Sequence, residues 1–371
     1  MAKTVEIEVV CAGKEPGETV TLPGAVTSPS DGRASDTGVI LLHGAGGDLH
    51  GGHMNTTAAY FADHLGTPVF RVTMKSPDVN YRLRAAHGLI SVALSHGVSR
   101  FILAGQSNGA RVCCNLFAQL VDPENHDAFP KAKPSAELVQ RLDKTKTRQQ
   151  TTIENGSPAR VSSLVLFSYP LHAPGKTSER DLRRDELERA FDAAPKARDH
   201  LRQMVPIKFI RGERDAFADA SLFDVHVTRL IKKVNAKLQT LEGHPDCKGF
   251  PKPQYCTDDV VYVMPGGDHG LSVQKSAAVG TDEAREKALA FVCRSFRTSE
   301  GAAPPPPKGK GKRAREEEEE AVDHNELGSV AYHSTTLRHV RFSVGGSQPS
   351  GMTNGAFPSA SARFAAMARA A

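Results

Sequence analysis

Between residues 4 and 297 the chain alternates short apolar runs with longer stretches whose apolar positions recur at helical spacing. Residues 4–11 alternate apolar and polar side chains, as a half-exposed strand does, and residues 17–22 suggest its antiparallel partner. A loop rich in Ser, Pro, Gly and Asp over 27–37 leads into Gly38-Val39-Ile40-Leu41-Leu42. That uninterrupted apolar run is typical of a parallel strand covered on both faces. A helix is expected over 54–64, a strand over 68–73, and a second helix over 81–95. Leu83, Leu89, Ile90, Val92 and Leu94 make most of that helix's apolar face. Further strands are read at 100–104, 160–167, 206–211 and 260–264, with helices from Ala110, over 179–191, over 221–238 and over 282–297. This alternation predicts the α/β class, a mostly parallel sheet with right-handed crossovers and helices on both faces.

Two stretches interrupt the pattern. Residues 122–160 are rich in Lys, Asp, Pro, Gln and Thr and read as a surface insertion, partly helical over 135–144. Residues 173–204 are highly charged and read as a small cap or a solvated excursion. The domain is therefore drawn over 1–297 with these two insertions. Beyond residue 298 a Pro-rich linker precedes a basic cluster (Lys308, Lys310, Lys312, Arg313 and Arg315), five glutamates at 316–320 and a Ser/Gly/Ala-rich remainder. That composition predicts a disordered tail over 298–371.

Charge and composition narrow the function classes. The net charge of +5 over 371 residues is modest and does not point to nucleic acid. No apolar run approaches a membrane span, and the N-terminus lacks the apolar core of a signal peptide. With scattered cysteines and no Cys-x-x-Cys pair, the expectations are reduced thiols, no metal, no cofactor, and a cytoplasmic or nuclear location.

The chemistry centres on Gly105-Gln106-Ser107-Asn108-Gly109, set between a strand and a helix. This resembles the nucleophile elbow of the α/β-hydrolases, where a strained turn exposes a serine hydroxyl in front of a helix N-terminus. Serine needs a base and an orienting carboxylate to attack at neutral pH. In that fold these follow late strands, in the chain order Ser, Asp or Glu, His. Asp215 follows the strand at 206–211 and His269 the strand at 260–264, so the strand pattern itself selects them; Asp219 and Glu213 are the fallback acids. The loop His43-Gly44-Ala45-Gly46-Gly47-Asp48 ends the first parallel strand. The expected oxyanion donors are the backbone N–H groups of Ala45 and Asn108. Arg71 and Lys75, near the C-terminal edge of the sheet, are candidates for binding a substrate carboxylate. His43 reads as scaffold.

Six segments resemble one hydrolase branch related to dienelactone hydrolase: testis-expressed protein thirty and the domain in subunit three of the NSL histone-acetyltransferase complex. They are Gly38–Asp48, Phe70–Lys75, Gly105–Arg111, Ser168–Lys176, Gly212–Asp215 and Gly266–His269. The run Ser168-Tyr169-Pro170-Leu171-His172 is the most specific. Asn108 stands where that family has Met, and Ala110 where it has Gly or Ser. The resemblance implies the α/β-hydrolase fold and a serine hydrolase acting on a small ester, lactone or thioester. Because some members serve in chromatin complexes, it also implies an alternative, a non-catalytic module that meets protein partners through the insertion or the tail.

Overall fold

The computed structural model describes residues 2–15, 17–122, 130–142, 161–196, 205–241, 255, 257–274 and 279–297. The tail at 298–371 and most of the 122–160 insertion lie outside the described residues. Eight strands form one sheet: β1 (Lys3–Ala12), β2 (Thr19–Ser28), β3 (Thr37–Leu42), β4 (Val69–Val72), β5 (Arg100–Gln106), β6 (Val161–Phe167), β7 (Ile207–Gly212) and β8 (Val261–Met264). Their spatial order is β1-β2-β4-β3-β5-β6-β7-β8. β2 runs antiparallel to both neighbours, and every pairing from β4 to β8 is parallel. This is the α/β-hydrolase arrangement.

The middle of β3 and of β5 is apolar without interruption because each face meets helices. In β3, Val39 and Leu41 point to one face and Ile40 and Leu42 to the other; in β5, Ile102 and Ala104 oppose Phe101 and Leu103. One face is covered by α1 (Met54–Leu65) and α6 (Thr281–Arg297), through Phe61, Ala288, Leu289 and Val292. The other carries α2 (Val79–Ser95), α3 (Asn108–Val121), α4 (Asp185–Ala193) and α5 (Ala220–Leu241).

Two sequence expectations shift. The first hairpin is longer than read, because β2 continues to Ser28 and pairs Val26 with Phe70 and Thr27 with Val69. Thr27 and Ser28, the start of the expected 27–37 loop, thus belong to an interior strand. The helix expected over 179–191 is broken: a 3-10 turn (Glu179–Asp181) gives way to extended Leu182 before α4 begins. The chain is drawn out there by two bonds, Arg183 N–H to Leu171 O at 2.6 Å and Tyr169 Oη–H to Arg183 O at 2.7 Å. The described part of the 173–204 excursion is packed, with Leu182, Leu187, Ala190 and Phe191 buried in the core. In the other insertion, Ala132, Leu138 and Leu142 are buried too, and residues 136–142 are helical.

The order β4-β3-β5 is what locates a ligand site. The chain leaves β3 in one direction to form β4 and returns on the other side to form β5. At such a switch point the loops leaving the strand ends diverge and open a crevice outside the carboxyl edge. The loops after β3 and β5 border it.

Candidate active site

Ser107 joins β5 to α3 with φ 52° and ψ −118°, a strained backbone for a residue with a side chain. The flanking glycines explain how the turn closes. A Cβ on Gly105 would lie 2.4 Å from Gly109 O, and one on Gly109 would lie 2.3 Å from Leu42 O. Neither position admits even alanine without moving backbone. The strained turn therefore lifts the serine between the ends of β3 and β6, tied by Ser107 N–H to Phe167 O at 2.9 Å.

Asp215 and His269 arrive from adjacent strand ends. Gly212, the last residue of β7, lies so close to the loop after β8 that a Cβ there would be 2.4 Å from Gly267 O. Arg214 N–H donates to Gly267 O at 2.8 Å and Glu213 N–H to Met264 O at 3.1 Å, locking the two loops together. His269 Nδ1 consequently meets Asp215 Oδ1 at 2.8 Å and Oδ2 at 3.0 Å. Ser107 Oγ lies 2.8 Å from His269 Nε2. The Asp215 carboxylate is fully buried and also accepts from Phe217 N–H at 2.9 Å, while the imidazole is 22% exposed. Phe217 covers the imidazole, its ring centroid 4.2 Å away. Sequence patterning did not single out Phe217, since nothing marks one loop aromatic as a neighbour of a histidine fifty residues on.

With an acceptor on Nδ1, the neutral ring carries its proton there and leaves Nε2 free to take the proton of Ser107. The fallback acids are committed elsewhere. Glu213 Oε2 accepts from Gly266 N–H at 2.7 Å, and Asp219 caps α5 through Leu222 N–H at 3.1 Å.

The loop after β3 lies against the serine: a Cβ on Gly44 would sit 3.3 Å from Ser107 Cβ and 3.9 Å from Ser107 Oγ. Among the described residues, neither Ala45 N–H nor Asn108 N–H donates to a protein acceptor. The Asn108 side chain is turned to Pro77 O, donating at 2.7 Å, and so ties the nucleophile turn to the loop after β4. His43 is buried scaffold: Met74 N–H donates to its Nε2 at 2.9 Å and its Nδ1 donates to Gly44 O at 2.7 Å.

The expectation for Arg71 is overturned. Its guanidinium is 1% exposed and donates to Leu49 O, Asn55 Oδ1 and Thr27 Oγ1. β2 and the 49–55 segment enclose it, so it is a tie between sheet and loop rather than a group facing a substrate. Lys75 is exposed on the loop after β4.

Two buried histidines give the fold an acid sensitivity. Burial first, then the Arg82 charge, lowers His43 from 6.5 to about 4; burial and Arg285 do the same to His53. The unfolded chain takes up protons as pH falls through 6.5, whereas the folded chain resists until about 4, so stability is lost across that window. Each histidine contributes about 3 kcal/mol in full, and about 2 kcal/mol of it is gone by roughly pH 5. Urea unfolding at pH 7.5 and 5 is expected to show the drop, with His53→Gln showing a markedly smaller one. An undiminished drop in that variant would remove His53 from the explanation.

No family model matches the chain. Solved structures that resemble it include a dienelactone hydrolase from Anabaena variabilis, at 13% identity over 79% of this chain and 98% of that one, with a TM-score of 0.41. An alpha-beta serine hydrolase homologue from Coxiella burnetii has 13% identity over 78% and 97%, with a TM-score of 0.42. Est1E from Butyrivibrio proteoclasticus has 13% identity over 77% and 98%, with a TM-score of 0.43. No helix among the described residues is long and apolar enough to cross a membrane.

Proposed function

We propose that this protein is a serine hydrolase acting on a small carboxylic ester, lactone or thioester. The observation that carries the reading is the continuous hydrogen-bonded chain from Ser107 Oγ through His269 to the buried Asp215 carboxylate. A serine strained at φ 52°, and two nearby backbone N–H groups that meet no acceptor among the described residues, support it further.

In this reading Ser107 Oγ attacks the carbonyl carbon while its proton passes to His269 Nε2. Asp215 holds the ring and stabilises the imidazolium that forms. The carbonyl oxygen becomes an oxyanion facing Ala45 N–H and Asn108 N–H, each donor worth about 3 kcal/mol in the transition state. His269 then returns the proton to the departing alcohol or thiol, leaving an acyl group on Ser107. Water, deprotonated by the same histidine, releases the acid and restores the serine.

Lys75 is the remaining candidate for a substrate carboxylate. The kinship with testis-expressed protein thirty and NSL subunit three is proposed on the six motifs, together with a cytoplasmic or nuclear location and partner contacts through the 122–160 insertion or the tail. The activity is tested with p-nitrophenyl acetate and butyrate. Turnover by the wild type that vanishes in Asp215→Ala supports it, whereas equal rates for the two proteins would refute it.

A further inference from the structure

Arg82, on α2, is fully buried and, among the described residues, meets no carboxylate. Its guanidinium donates instead to four backbone carbonyls: Nε to Ser76 O at 2.7 Å, Nη1 to His43 O at 2.7 Å, and Nη2 to Gly44 O at 3.1 Å and Met74 O at 3.3 Å. Burial lowers its pKa to about 10, so it remains a cation at neutral pH. A buried charge without a counter-ion is costly, and such a charge invites a functional explanation.

The carbonyls it holds supply one. Two of them, His43 O and Gly44 O, belong to the loop that lies against Ser107. In a trans peptide the C=O and the following N–H point in opposite directions, and no peptide bond among the described residues is cis. Gly44 O is held by three donors, His43 Nδ1 at 2.7 Å, Arg82 Nη2 at 3.1 Å and, more loosely, Gly47 N–H at 3.4 Å. The N–H of the same peptide unit is that of Ala45, and it is thereby turned away from the core. We propose that Arg82 is a positioning residue for the proposed hydrolysis: it fixes the Gly44–Ala45 peptide so that Ala45 N–H meets the oxyanion, and its uncompensated charge favours the negative transition state. The inference rests on the serine-hydrolase reading and adds to it a residue that acts through the oxyanion loop rather than by touching substrate.

The experiment compares wild type, Arg82→Met and Arg82→Lys, using a fluorophosphonate probe and p-nitrophenyl acetate, with folding followed by circular dichroism. In the probe reaction Ser107 Oγ forms the bond to phosphorus, fluoride departs, and the serine proton leaves through His269 with it as HF. Arg82→Met is expected to slow labelling and kcat by about 100-fold, the effect of losing one oxyanion donor, with KM within about twofold. Arg82→Lys, which keeps the charge and reaches fewer carbonyls, is expected to recover about tenfold of that loss. Wild-type kcat in folded Arg82→Met, or a change confined to KM, would overturn the proposal. Should Arg82→Met not fold, Arg82→Lys decides: a kcat about tenfold below wild type supports the role, and an unchanged kcat overturns it. If neither variant folds, Arg82 is a core residue and the positioning role falls. Failure of the hydrolase reading shows separately, as a folded wild type that takes no label at Ser107.

Discussion

Ser107→Ala, His269→Ala and the double variant are expected to lose ester turnover to one common floor, at least about a thousand-fold below wild type. The reason is the serial geometry. Among the described residues, Ser107 Oγ reaches no base other than His269 Nε2, 2.8 Å away, and the imidazole meets Asp215 through Nδ1 on its far side. Without the serine there is no acyl acceptor; without the histidine the hydroxyl keeps its proton. The second substitution then removes nothing that the first had left, so the losses do not add. Turnover kinetics on p-nitrophenyl acetate measures this directly. Losses that multiplied in the double variant would mean that the two residues act independently, contrary to a single proton path. Ser107→Ala is also expected to fold normally, because its side chain is smaller at a site already strained at φ 52°.

Gly212→Ala is the second large effect, and it acts mainly on the fold. The new methyl would sit 2.4 Å from Gly267 O and 2.5 Å from Asp268 O, both backbone atoms that cannot rotate aside. The loops after β7 and β8 must separate, straining the Gly212–Met264 pairing and the bond from Arg214 N–H to Gly267 O. Overpacking of this kind costs about 3 kcal/mol, or roughly 6–12 °C in Tm for a domain of this size. The same separation moves Asp215 away from His269, so kcat is expected to fall at least about tenfold in the protein that remains folded. Calorimetry and kinetics at 25 °C check both halves. A Tm within a degree of wild type would show that the loops slide apart freely.

The fold class was legible because its strands obey simple rules. Residues 38–42 and 101–104 are apolar on both faces, as a doubly covered parallel strand requires. Ser107, Asp215 and His269 could be picked out because each follows such a strand, and in a parallel sheet all strands end on the same edge. The spatial order was not legible: nothing local says that β5 returns beside β3 rather than beyond β4. The role of Arg71 depends on that order. Its partners Thr27, Leu49 and Asn55 come from segments that only the sheet order brings around it. The burial of Arg82 is hidden in the sequence on similar grounds, since helical periodicity assigns an arginine beside Leu83 to solvent. The four carbonyls that bury it come from two loops, 43–44 and 74–76, that pattern alone cannot bring together. The break at Leu182 likewise depends on Tyr169 and Leu171, which capture the chain from another strand end.

The central claim is that Ser107 is an activated nucleophile. It is tested most directly by incubating the full chain with a fluorophosphonate and locating the adduct by peptide mass spectrometry. The account predicts one phosphonate, carried on Ser107 and absent from His269→Ala. A folded wild type that takes no label, or a label borne elsewhere and retained in Ser107→Ala, would contradict it.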